Sequence, residues 1–145
     1  CGRVIAFEPD PVHYECLVKN CPEDVETHQL AVGNEEKMIS LSEDNFTQAK
    51  RVVGDGTIPM VTIDSLNLDD VDLIKIDVEG FEMEVLKGAE NTLKNVDYLM
   101  IELNNNSKKY GSSNLEIEKH LRKTGFEIMI KVWPDVVWRK KGNSK

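Results

Sequence analysis

The 145-residue chain has no long apolar run, no excess of positive charge and few cysteines. No stretch approaches the roughly 20 apolar residues that a bilayer requires, which excludes a transmembrane helix and makes a membrane an unexpected partner. No secretory signal pattern opens the chain. Basic residues are the minority, with 18 Lys and Arg against 26 Asp and Glu, for a net charge of −8. A surface of that sign repels phosphate backbones, so nucleic acid is not an expected partner. The odd set Cys1, Cys16 and Cys21 reads as free thiols in a reducing compartment, the cytoplasm. His13, Cys16, Cys21 and His28 lack the spacing of a zinc clip, so no metal site is expected from them. The largest basic cluster, Arg139-Lys140-Lys141 with Lys145, reads as a solvated tail. There is no internal repeat and no low-complexity tract. The length and the 40% hydrophobic content suit one domain spanning residues 1–145.

What is present is an alternation of strand and helix patterns, which predicts an α/β fold. Residues 4–7 are a short apolar run, as in a strand buried on both faces. Asp10 then suits an N-cap and Pro11 the first helical position, predicting a helix over 11–19. Strands are expected at 25–32, 37–42 and 58–63, with Pro59 confining the last to an edge or a strand start. The polar stretch 43–56 reads as a loop. The clearest strand spans 71–77 and is followed by a helix over 81–94, with Phe81, Val85 and Ala89 on one face beside Leu86 and Leu93. A strand follows at 98–103, then a loop at 104–107. A helix is expected from Ser113 or Asn114 to about Thr124, with Leu115, Ile117 and Leu121 apolar and Gly125 as its stop. Residues 126–132 and 136–139 read as an antiparallel hairpin around Pro134-Asp135 that closes a mostly parallel sheet.

Ligands of open α/β sheets bind beyond the carboxyl ends of the strands. Three predicted strands end in acids there: Glu8, Asp77 and Glu102. A carboxylate in that place can accept from two ribose hydroxyls, one per oxygen, and Glu8 is the candidate. It can equally be a surface acid that shields a strand end. Lys75 and Asp77 share a strand face because side chains alternate. Burying Lys75 in that strand demands a partner, either Asp77 or Glu102. Glu79 and Gly80 stand where the next helix begins and a negative charge is favoured. Strand-end capping with an ion pair is the plain alternative.

The segments VIAFEP at 4–9, TIDSL at 62–66, LIKIDVEGFEMEVLKGA at 73–89 and LMIE at 99–102 resemble the FkbM family of methyltransferases. The long central segment is the specific one. The resemblance implies a Rossmann-like class I methyltransferase fold, S-adenosylmethionine as methyl donor, and a hydroxyl of a sugar or small natural product as acceptor. Carried over by position, Glu8 holds the cofactor ribose, and Gln29, Leu30 and Ala31 lie beside the adenine. Asp77, Glu79 and Lys75 border the transfer site, with Asp77 first and Glu79 second as the group that takes the acceptor proton. Glu102 and Asn104 face the acceptor.

The chain departs from the family at its start. The strand and glycine-rich loop expected before Val4 have no counterpart, and a strand-like run begins almost directly after Cys1. The reading is therefore of a domain that starts at the family's second strand, with sequence missing upstream. That strand belongs between residues 4–7 and 71–77, so the gap must stay open, be filled by another copy, or close differently. Homo-oligomerisation is compatible with such a gap. Weak or no cofactor binding by residues 1–145 alone is the expectation. Two other classes share parts of this pattern. A nicotinamide-dependent Rossmann oxidoreductase also places an acid on a ribose. A non-catalytic methyltransferase-like module, serving binding or assembly, would keep Glu8 and Asp77 without turnover.

Overall fold

The apolar run ahead of Asp77 forms the strand around which the main core assembles. The fold is taken from a computed structural model that describes residues 2–42, 50 and 52–142. In chain order the elements are β1 Val4–Phe7, α1 Pro11–Asn20, β2 Val25–His28, β3 Ala31–Val32, β4 Lys37–Leu41, β5 Val52–Val61, β6 Leu73–Ile76, α2 Glu82–Lys87, β7 Tyr98–Glu102, α3 Asn114–Lys123, β8 Phe126–Val132 and β9 Asp135–Lys140. Short 3₁₀ turns lie at Asp64–Leu66, Thr92–Lys94 and Asn106–Tyr110.

The strands form three groups: β1-β2, β3-β5-β4 and β6-β7-β9-β8. A mostly parallel sheet was the sequence expectation, and the observed architecture is mixed. Among the described residues β1–β2, β3–β5 and β6–β7 pair parallel, while β4–β5, β7–β9 and β8–β9 pair antiparallel. Two hairpins cause the difference, one running out from β3 and one closing the chain.

The principal core joins Ile76, Val85, Leu86, Ala89, Leu93, Leu99, Ile101, Ile117, Leu121, Phe126, Val136 and Trp138. A fully buried Leu or Phe contributes about 1.5–3 kcal/mol of transfer free energy, so this cluster dominates the stability of the four-stranded sheet. A second core of Ala31, Ile39 and Met60 holds the β3-β5-β4 group. Phe81 packs against both cores. By contrast, Asp10 is the only buried residue between positions 2 and 30. The unit β1–α1–β2 therefore has its apolar surface half covered, and Val12 and Val18 of α1 are exposed.

Several expectations change. The strand over 25–32 divides, because β2 pairs with β1 whereas β3 leaves to pair with β5. The loop over 43–56 gives way to strand from Val52 onward, where Val52 and Val53 pair with Leu41 and Ser40; residues 43–49 and 51 lie outside the described residues. Pro59 sits within β5, opposite Met38. It is tolerated because β3 reaches only Met60 and Val61, so β5 is locally an edge at Pro59. The helix over 81–94 breaks at Gly88. The Gly88 carbonyl accepts from the Asp64 amide, at 2.9 Å. The Asp64 carboxylate in turn accepts from the Asn91 and Thr92 amides, at 2.9 and 2.8 Å, which starts the turn Thr92–Lys94.

Leu115 is exposed rather than part of the apolar face of α3, which is carried by Ile117 and Leu121. The predicted solvated tail is also corrected. Arg139 lies in β9 and pairs with Glu127 at 2.7 Å. Lys140 donates to the carbonyls of Leu93 and Thr124 at 2.7 and 2.9 Å, and its ammonium lies 4.5 Å from the centre of the Phe126 ring. Basic side chains here tie strands and turns together, and Lys145 lies outside the described residues.

Candidate active site

The ends of β6 and β7 bring the acids together. These strands are parallel, with Ile76 opposite Ile101, so Asp77 and Glu102 emerge side by side. Across β7, Asp135 at the start of β9 is the register partner of Glu102. The hydrogen bond from the Leu103 amide to the Pro134 carbonyl, 2.9 Å, fixes the hairpin against this strand end.

Lys75 donates to Asp77 Oδ2 at 2.7 Å, as their shared face predicts. Lys75 is not buried, however: 52% of its side chain is exposed. The reason is that among the described residues β6 pairs with β7 alone and is an edge strand of its group. The ion pair thus forms at an open sheet edge, where its worth in stability is small.

Glu79 stands in the left-handed region at φ 54° and Gly80 at φ 111°. This tight reversal turns the Glu79 carboxylate toward the loop after β7. There Glu79 Oε2 accepts from Asn104 Nδ2 at 3.1 Å and from Asn106 Nδ2 at 2.9 Å. Asn104 also accepts from the Asn106 amide at 3.0 Å, so the two asparagines form one unit. Behind them Glu82, buried, accepts from the Gly80 amide at 2.8 Å.

Electrostatics divides the acids. The hydrogen bond with Asp77 is the main reason that the Glu102 pKa is pushed up to about 7; burial and the charges of Asp77, Glu79 and Asp135 add to it. For Asp77 burial acts upward, yet the Glu102 hydrogen bond and Lys75 outweigh it and hold the carboxyl below its ordinary value. Burial raises the pKa of Glu82, against the Gly80 amide, and the negative charges of Glu79 and Asp77 add to the rise.

Glu8 follows β1 as expected. Its Oε1 accepts from the Asp10 amide at 2.8 Å, while Oε2 has no hydrogen-bond partner among the described residues. One free carboxylate oxygen beyond a strand end fits a donor with ribose hydroxyls. Beyond β2, Gln29 is exposed, Leu30 half-buried, and Ala31 buried in the second core. Phe7 and His28 stack at the same strand ends, with ring centres 5.5 Å apart.

Three features escaped the sequence reading. Asn106 was placed only within a loop, and its bond to Glu79 depends on a loop conformation that spacing does not reveal. Glu82 falls within the predicted helix over 81–94 with no role attached, and the neighbouring Gly80 is the one available signal. Asp10 was read as a cap alone. It does accept from the Val12 and His13 amides, both at 3.0 Å, but it also pairs with Lys50. Asp10 and Lys50, with Ser40 and Thr57, line a cavity of about 410 Å³ beside the β4–β5 hairpin, separate from the acids at β6 and β7. Among the described residues no group of three or more His, Cys, Asp or Glu is placed to hold a metal ion. No described helix is long and apolar enough to cross a membrane.

The chain is similar to known proteins in sequence and in fold. Hexuronic acid methyltransferase AglP of Haloferax volcanii is 30% identical over 113 residues, covering 70% of this chain and 47% of AglP. The crystal structure of methyltransferase FkbM from Methylobacillus flagellatus superposes with a TM-score of 0.64 at 19% identity, covering 94% of this chain and 36% of that one. The chain therefore spans about half the length of the curated relative and about a third of the solved one. The family model described as the methyltransferase FkbM domain matches residues 1–128. On that match, which takes in every one of the acids at the ends of β1, β6 and β7, this chain belongs to the FkbM methyltransferase family.

Proposed function

We propose that the protein carrying this domain transfers the methyl group of S-adenosylmethionine to a hydroxyl of a sugar. The observation that carries the reading is the gathering of Asp77, Glu79 and Glu102 beyond β6 and β7 in a member of the FkbM family. The likeness to a hexuronic acid methyltransferase supports a sugar as acceptor class. Carboxylates and asparagine amides are the groups that recognise sugar hydroxyls, one as acceptor and the other as donor. When bound, the cofactor supplies an electrophilic methyl on a sulfonium.

In this reading Glu8 holds the ribose through its free oxygen, and Gln29 and Leu30 border the base. Asn104 and Glu79 meet the acceptor, and one carboxylate of the cluster takes its proton. A further strand between β1 and β6 belongs to the same reading. Its support is that among the described residues each of these strands has a single partner and that Val4 and Leu73 on them are exposed. Residues 1–145 alone then bind the cofactor weakly or not at all, and a second copy is one source of the strand. The free thiols suit the cytoplasm as the compartment.

The test is transfer of labelled methyl from S-adenosylmethionine to a panel of hexoses and hexuronic acids by the full-length protein. Labelled sugar is the expected product. Cofactor binding without transfer to any acceptor would favour the non-catalytic module instead. Calorimetry on residues 1–145 showing micromolar affinity for S-adenosylmethionine would remove the weak-binding part of the reading.

A further inference from the structure

We propose that Glu102 is the carboxylate that takes the acceptor proton, with the Lys75–Asp77 ion pair as its positioning partner. This rests on the methyl-transfer reading above and decides which acid of the cluster performs it.

The geometry separates the candidates. Asp77 is held by the Lys75 ammonium at 2.7 Å, which stabilises its charged form and weakens it as a base. Glu79 has one oxygen occupied by the amides of both Asn104 and Asn106. Glu82 is buried and turned to the Gly80 amide. Glu102 differs from all three. Among the described residues no Lys, Arg or His forms an ion pair with it, and it emerges beside Asp77, because Ile76 and Ile101 are register partners on adjacent parallel strands.

Two carboxyl groups set side by side favour a state with one proton between them, since two facing anions repel. Lys75 settles which member keeps the charge. Asp77 stays ionised, and Glu102 is the member that gains and loses the proton. The groups facing Glu102 are all acidic: Asp77 and Glu79 from the segment after β6, and Asp135 from β9. Their combined effect places Glu102 at about 7. A base that titrates near the working pH combines availability with basicity.

In the step itself, a lone pair of the acceptor oxygen forms the new C–O bond to the methyl carbon. The C–S bond breaks with its electron pair moving to sulfur, which becomes a neutral thioether. The hydroxyl proton passes to the ionised Glu102 carboxylate. The products are the methyl ether, S-adenosylhomocysteine and protonated Glu102.

The experiment is the pH profile of kcat/KM for the full-length protein, with cofactor affinity followed by calorimetry. The wild type is expected to show a limb rising with pH through about 7. Glu102→Gln should lose about 100-fold or more, the usual worth of a positioned general base, and lose that limb, with cofactor affinity unchanged. Asp77→Asn should keep the limb and move it to lower pH, because a neutral amide no longer opposes ionisation of Glu102. A limb retained in Glu102→Gln, or lost in Asp77→Asn, overturns the assignment while leaving methyl transfer intact. No transfer by the wild type defeats the methyl-transfer reading and the assignment with it. Carboxyl-carbon NMR gives an independent readout if Glu102→Gln does not fold. Glu102 should titrate near 7 in the wild type and lower in Asp77→Asn; titration in the ordinary glutamate range in the wild type overturns the proposal.

Discussion

Gly80 lies so close to Asn106 that a Cβ built on it would stand 2.6 Å from both the carbonyl carbon and the carbonyl oxygen of Asn106. Gly80 also has φ 111°, a conformation closed to other residues. Space and backbone geometry therefore demand glycine together, and the demand comes from the loop that holds Glu79. Gly80→Ala should cost about 1–3 kcal/mol through backbone strain alone, with the clash adding to it. Thermal denaturation measures the loss. A variant as stable as the wild type would show that the two loops separate at little cost.

Asp64 organises the break between α2 and the turn Thr92–Lys94. It accepts from the Asn91 amide, the Thr92 amide and the Thr92 hydroxyl, at 2.9, 2.8 and 2.8 Å. Burial works to raise its pKa, but the Asn91 and Thr92 donors outweigh it and hold it below the ordinary value of 3.8. A depressed carboxyl contributes stability above the unfolded pKa and loses it as pH falls through the folded one. Asp64→Ala should thus destabilise by about 1–3 kcal/mol at neutral pH, and the gap from wild type should narrow below pH about 4. Urea melts at neutral and acid pH check the sign.

Asp10 is both cap and counter-ion, and two substitutions separate the roles. Asp10→Asn keeps an acceptor for the Val12 and His13 amides while removing the charge that faces Lys50. Asp10→Ala removes both, and cap loss alone is worth about 0.5–2 kcal/mol. Since α1 buries no residue of its own, amide exchange in α1 should accelerate strongly in Asp10→Ala and mildly in Asp10→Asn. Equal acceleration in the two would assign the effect to charge.

Lys140 bridges two chain segments far apart in sequence through the Leu93 and Thr124 carbonyls. Lys140→Met keeps the stem against Phe126 but leaves both carbonyls without this donor. The expected loss is about 1–3 kcal/mol, read from denaturant midpoints with an unchanged m-value.

The parts of the fold that were legible in the sequence are those fixed by local pattern. Val4–Phe7, the Asp10-Pro11 helix start, Leu73–Ile76, Tyr98–Glu102 and the Gly125 stop all follow from apolar runs, caps and glycine. What was not legible depends on distant partners. The division of 25–32 is decided by β1 and β5, and the extension of β5 back to Val52 by pairing with β4. The break at Gly88 is decided by Asp64, some twenty-odd positions earlier in the chain. At the site, period-two alternation brought Lys75 to Asp77. The clamp on Glu79 was hidden, because it needs left-handed backbone at Glu79, for which a glutamate gives no warning, as well as at Asn105, where asparagine permits it without requiring it.

Phe81 is shared by both cores. It directly follows Gly80, and it meets Tyr110 edge-on with ring centres 4.9 Å apart. The Tyr110 hydroxyl accepts from the Val52 amide at 2.9 Å, at the start of β5. The acid loop and the β4–β5 hairpin are thus levered on one aromatic pivot. Exchange of that hairpin for one from a relative would have to carry a matching socket for Phe81. Without it, the exchange would unseat Phe81 and, through Gly80, the loop that carries Glu79.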